Sequence, residues 1–198
     1  GFFDYTFSGT AALPNARFVA GDLVVPKVST PSLAQDPTVA DPFDGLTTGI
    51  FTDTFTIPAS PGTGPVVYKV KINISSLTAT DADLFVGTGS TPSEATQTCS
   101  STSGTATEVC EFEVTTSSSP QTYWLLVQNY AAGNSPPDVV TVESFQAPVQ
   151  AGTTGSLVAT GPGKLASGAT YKVRIGWDDP SFVAGQKRIG YLLVQSTN

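Results

Sequence analysis

Residues 66–74 read VVYKVKINI, and this stretch decides the fold class. Tyr68, Val70, Ile72 and Ile74 point one way while Lys69, Lys71 and Asn73 point the other, an alternation that describes an antiparallel strand with one face in a core and one in water. The pattern recurs on both sides. Upstream, Phe51, Phe55 and Ile57 share a face in IFTDTFTI; downstream, Cys110, Phe112 and Val114 alternate with Glu111 and Glu113. Leu84, Phe85 and Val86 predict a short strand, and Val140 and Val142 another. In TYWLLVQNY (122–130), Tyr123, Leu125 and Val127 oppose Trp124 and Leu126, so both faces are apolar and the strand is expected to be central.

Toward the ends the rhythm is weaker. FFDYTF (2–7) places Phe3, Tyr5 and Phe7 on one face, RFVAGDLVV (17–25) reads as broken strand, and TYKVRIGW (170–177) sets Tyr171, Val173, Ile175 and Trp177 against Lys172 and Arg174. Residues 26–46, with four Pro and three Asp and no periodicity, predict a long ordered loop or linker and the best domain boundary. The expected architecture is all-β, an antiparallel β-sandwich or jelly-roll in two packed units. Its parts are N-terminal strands and a Pro/Asp-rich loop (1–45), a jelly-roll (46–146) and C-terminal sandwich strands (147–198). The roughly 50 residues of the tail supply too few strands for a core of their own, so residues 1–30 are expected to complete that sandwich.

Composition agrees. Of 198 residues, 39% are hydrophobic and only 13% charged, while 28 Thr and 20 Ser put hydroxyls where charges usually sit. β-branched residues suit a pleated surface, and 19 Gly with 15 Pro supply turns. A net charge of −7 and nine Lys/Arg oppose binding to nucleic acid or to an anionic membrane surface. No run of about 18 apolar residues exists to span a membrane, and no signal peptide is visible. The absence of Met implies that Gly1 lies inside a longer precursor.

The chain contains no His, which removes a self-contained Ser-His-Asp or Cys-His site and His-ligated metals. Cys99 and Cys110 flank a Ser/Thr/Gly stretch that reads as a hairpin, so a disulfide and an oxidising, extracellular compartment are expected. Two separate buried thiols are the other reading. Asp36, Asp41 and Asp44 in the loop and the pair Asp81/Asp83 are the clusters of hard oxygen donors. Calcium takes roughly six to eight oxygens, which makes Asp41, Asp44, Asp81 and Asp83 candidate calcium ligands. Asp before Pro or Gly is equally a turn residue whose carboxylate bonds the local backbone, and both readings stand. Asp178 and Asp179, adjacent in GWDDPS, lack the separation of roughly 5 to 9 Å across a cleft that glycoside hydrolysis needs, and read as a solvated turn. Tyr123, Trp124, Tyr130 and Trp177 could form an aromatic platform, although Trp124 and Trp177 also fit strand cores and Tyr130 precedes the loop AAGNSPP. Tyr130 and Trp124 are the candidate ligand-binding residues. The sequon Asn73-Ile-Ser75 matters only in a eukaryotic secretory pathway.

The succession DADLFVGTG, TCSSTSGTATEVCEF and TYWLLVQNYAAGN resembles the bacterial pre-peptidase C-terminal module. Asp81, Asp83, Leu84, Phe85, Val86, Cys99, Cys110, Tyr123, Trp124, Val127 and Tyr130 match its pattern, while Ala82 replaces the usual Leu and no Gly precedes Tyr123. The tail LASGATYKVRIGWDDPSFVAGQKRIGYLLV resembles the β-sandwich ending of secreted bacterial subtilisin-like proteases. The resemblance spans about residues 50–195 and implies a secreted, non-catalytic C-terminal extension of a serine protease. Its partners would be the upstream catalytic domain of the same precursor and a protein or polysaccharide substrate surface. An independent carbohydrate-binding or adhesive module is the alternative.

Overall fold

The computed structural model describes residues 1–61, 64–150 and 155–196. They form an all-β protein whose strands, in chain order, are β1 (Phe2–Phe7), β2 (Ala16–Ala20), β3 (Lys27–Ser29), β4 (Ser32–Leu33), β5 (Ile50–Ile57), β6 (Val67–Ser76) and β7 (Asp81–Thr88). β8 (Gln97–Ser101), β9 (Thr107–Thr115), β10 (Gln121–Ala131), β11 (Asp138–Pro148), β12 (Leu157–Thr160), β13 (Tyr171–Trp177) and β14 (Leu192–Ser196) follow. The chain divides into two compact units, one built from Gly1–Val25 with Ala147–Asn198 and the other from Pro26–Gln146.

The continuous unit holds two sheets, ordered β5-β10-β7-β8 and β3-β11-β6-β9, with β4 also pairing with β11. β3 and β4 are two pieces of one edge strand. They meet the same partner at Val142–Ser144 and Asp138–Val139, with Pro31 between them, where a missing N–H costs an edge strand little. Counting them as one, eight strands cross between the sheets in jelly-roll order. The alternation at 66–74 lands as read: Val70, Ile72 and Ile74 are buried between the sheets with Leu84, Val86, Cys110, Leu125, Val127 and Val140. On the wet face, Lys69 and Lys71 pair with Glu111 at 3.2 and 3.3 Å across the β6–β9 register. Such partly exposed pairs add little stability and mainly favour the register.

Two expectations change here. Residues 26–46 are not a linker: Pro26 opens the continuous unit, and β3 and β4 supply its first strand, so the boundary falls at Val25/Pro26 rather than near residue 45. β-strand pairing without apolar alternation is possible there because a short edge strand is ordered by its neighbour's backbone rather than by its own burial. The Cys pair also does not sit in a hairpin. β8 pairs with β7 and β9 with β6, so Cys99–Cys110 joins one sheet to the other, with Cα atoms 6.0 Å apart.

The discontinuous unit pairs β1 with β13 and β2 with β14, so residues from both ends of the chain share one core. Leu165, Tyr171 and Val173 are its buried centre, and Phe7 stacks on Tyr171 at 5.4 Å. No described helix is long and apolar enough to cross a membrane.

Candidate functional site

The central strand β10 explains where the loop aspartates go. Its inner face carries Tyr123, Leu125 and Val127 into the sandwich, while Trp124 and Leu126 project outward with Ile50 and Phe85 and need a cover. The segment after β4 supplies it. Phe43 meets the rings of Phe85 and Trp124 at 5.8 and 6.0 Å, and Leu46 packs on the same patch. Asp36 anchors the strap: its backbone N–H donates to Asn129 O, and its Oδ2 accepts the Gln128 amide at 2.6 Å. Gly49 closes the strap at φ +77°, where an added Cβ would lie 2.3 Å from the Asp36 backbone nitrogen.

The strap's carboxylates are engaged locally. Asp41 accepts the Phe43 N–H at 2.9 Å, Asp44 accepts the Thr38 hydroxyl at 2.7 Å, and Asp36 Oδ1 takes the Thr38 N–H. Asp81 and Asp83 lie instead on β7. Burial first, then the charges of Asp81 and Glu108, push Asp83 up to about 6, and Asp81 is raised by burial and by Glu108. Glu108 is buried at the β8–β9 corner, where the Ser101 and Ser103 hydroxyls and the Ser103 N–H donate to it. Among the described residues, no three His, Cys, Asp or Glu side chains converge as a metal cage. Asp138 is held below the usual carboxylate range: burial pushes it up, and the Asn129 amide and Gly133 N–H outweigh that.

The two aromatic candidates separate. Trp124 is wholly buried and its indole N–H donates to Thr96 Oγ1 at 3.0 Å, so it supports the fold and offers no platform to a ligand. Tyr130, at the end of β10, keeps 40% exposure. Near the strap, Asp41, Pro42, Phe43, Phe85, Glu94 and Gln97 border a shallow groove of about 370 Å³.

The discontinuous unit carries a concavity that the sequence reading missed. Phe3, Leu23, Leu157, Trp177, Phe182 and Arg188 line an apolar slot of about 190 Å³. A polar hollow of about 310 Å³ shares Leu23 and Arg188 with it and adds Asp22, Ser156, Asp178, Asp179 and Ser181. The strand pattern predicts Trp177 as core, and GWDDPS predicts a solvated turn at Asp178/Asp179. β13 ends at Trp177, beyond the last buried residues of that face, so the ring lies at the rim, 6.1 Å from Phe3. The signal for it was the tripeptide Trp177-Asp178-Asp179 itself, an aromatic leaving a strand directly into carboxylates.

No family model and no curated protein matches the chain. Among solved structures, dimeric latent PorU from Porphyromonas gingivalis is similar over 97% of this chain and 21% of that chain, at 10% identity and a TM-score of 0.24. This chain thus spans a minor part of that protein's length.

Proposed function

We propose that the chain is a secreted, non-catalytic accessory module of a bacterial subtilisin-like serine protease, which makes no bonds itself and acts through contacts with the catalytic domain or with a protein substrate. The observation that carries this reading is the placement of the three stretches that resemble the pre-peptidase C-terminal module. They are consecutive strands of one jelly roll, β7, then β8 with β9, then β10, and they supply its core residues and its inter-sheet disulfide. The disulfide suits an extracellular setting, since such bonds persist in oxidising compartments.

The experiment is capture of the natural parent polypeptide from culture medium with an antibody to this chain, followed by peptide mapping. A subtilisin-like catalytic domain on the same polypeptide supports the proposal, and a parent without any peptidase domain overturns it. Retention on insoluble collagen or casein then separates substrate attachment from a purely intramolecular role. The alternative, an independent carbohydrate-binding or adhesive module, is favoured by one observation, the exposed aromatic residues at the rim of the discontinuous unit's concavity.

A further inference from the structure

We infer that the concavity of the discontinuous unit is a binding site for a neutral saccharide, with Trp177 and Phe3 taking the apolar face of a sugar ring and Asp178 with Arg188 taking its hydroxyls. The inference rests on this unit's geometry alone and stands whether or not the chain belongs to a protease.

The slot and the hollow share Arg188, so an occupant meets an aromatic wall and a charged rim together. Arg188 is 10% exposed, and its guanidinium is held in place by the Ser181 carbonyl and hydroxyl at 3.1 and 2.9 Å, 5.8 Å from the Phe182 ring centre. A planar donor with so little freedom is preorganised, which lowers the cost of binding. Asp179 accepts from Ser181 and lies 3.8 Å from the Arg188 guanidinium, so it is already engaged. No side chain among the described residues pairs with the Asp178 carboxylate, which leaves an acceptor beside the donor.

The mix of charges selects among occupants. An anion would face Asp22, Asp178 and Asp179 against one guanidinium. A cation would find Arg188 already at the junction of slot and hollow. A wholly apolar ligand would cover the Asp178 carboxylate without pairing it, which is costly. A neutral sugar suits Asp178 and Arg188 together, because a hydroxyl both donates to a carboxylate and accepts from a guanidinium, and the C–H face of a pyranose lies against an aromatic ring. The hollow has the size of a small-ligand site.

Titration of the whole chain with cellotetraose, chitotetraose and β-mannotetraose tests this. Trp124 is fully buried in the other unit, so a saturable change in tryptophan emission reports on Trp177. At least one oligosaccharide is expected to bind, with calorimetric affinity falling about tenfold or more in Trp177→Ala and in Asp178→Ala. Asp178 lies on a surface turn, so that variant keeps its circular dichroism and the test survives any misfolding of Trp177→Ala. Tyr130→Ala, in the other unit, is expected to bind as the parent chain does. The inference is overturned by no saturable response with any of the three up to roughly 10 mM, by binding that Asp178→Ala leaves intact, or by binding that Tyr130→Ala abolishes.

Discussion

Gln128, on the central strand β10, donates its side-chain amide to the Asp36 carboxylate at 2.6 Å across 92 positions of sequence, and both side chains are buried. This bond ties the strap to the sheet whose outer face it covers. Truncating Asp36 leaves the Gln128 amide and the Thr38 N–H without a charged acceptor. Asp36→Ala is expected to cost about 1.5–3 kcal/mol, the range for hydrogen bonds to charged groups, measured by urea denaturation. Cleavage by a nonspecific protease is expected to concentrate at residues 37–48. A variant with parent stability and an uncut strap would show that Phe43 and Leu46 hold the segment alone.

The strap also marks what was legible in the sequence. The alternation at 66–74, the two-sided β10 and the Cys pair are local patterns, and each sets its own burial. The two apolar faces of β10 showed in the sequence that it is buried on both sides. What it could not name was the cover, because Phe43 and Leu46 stand singly among Pro and Asp and show no period. Pairing of β3 and β4 with β11 is set by backbone hydrogen bonds more than 100 positions apart, which leave no trace in side-chain pattern. Trp177 was misplaced for the opposite reason: strand alternation continues past the point where the neighbouring core ends.

The disulfide between β8 and β9 closes a short loop while joining the two sheets. In the chain-entropy account a loop of this size stabilises by about 3 kcal/mol through the unfolded state. The double variant Cys99→Ser/Cys110→Ser is therefore expected to melt well below the parent under non-reducing conditions, and the two are expected to converge in excess reductant. Equal melting temperatures before reduction would mean that the bond contributes nothing net.

The division of the chain at Val25/Pro26 and Gln146/Ala147 makes a prediction about fragments. A fragment of residues 26–148 contains every strand of the jelly roll and is expected to melt cooperatively by near-UV circular dichroism. A fragment of residues 149–198 lacks β1 and β2, the partners of β13 and β14, and is expected to be unfolded until a peptide of residues 1–25 is added. A folded, cooperative tail without that peptide would contradict the shared core.

The carboxylates of the strap already accept from Thr38 and Phe43, so a calcium ion would compete with these local donors. Melting in excess calcium against excess chelator is expected to differ by no more than about 1–2 °C, whereas an ion bound only by the native state at a hundredfold excess over Kd would stabilise by about 2.7 kcal/mol. A shift of several degrees would assign Asp41, Asp44, Asp81 or Asp83 as ligands, and single Asp→Asn variants would then say which.

Asp83 makes the fold more stable on the acid side. Burial, then the charges of Asp81 and Glu108, raise its carboxyl from 3.8 to about 6, so the folded state holds this proton more tightly than the unfolded chain does. The stabilisation is full below about pH 4, where both states are protonated, and is lost as pH rises through about 6. Asp138 and Glu111 act in the other direction: their lowered carboxyls stabilise above the ordinary values of 3.8 and 4.5, and that contribution is lost as acid titrates the folded state. Between these two trends the melting temperature is expected to peak at about pH 4–5. Asp83→Asn removes the buried charge, and is expected to gain about 1–3 kcal/mol at pH 7.5 and little at pH 3.5. Parallel melting curves for parent and variant across that range would remove Asp83 as the cause, because a group that titrates alike in both states contributes no pH dependence.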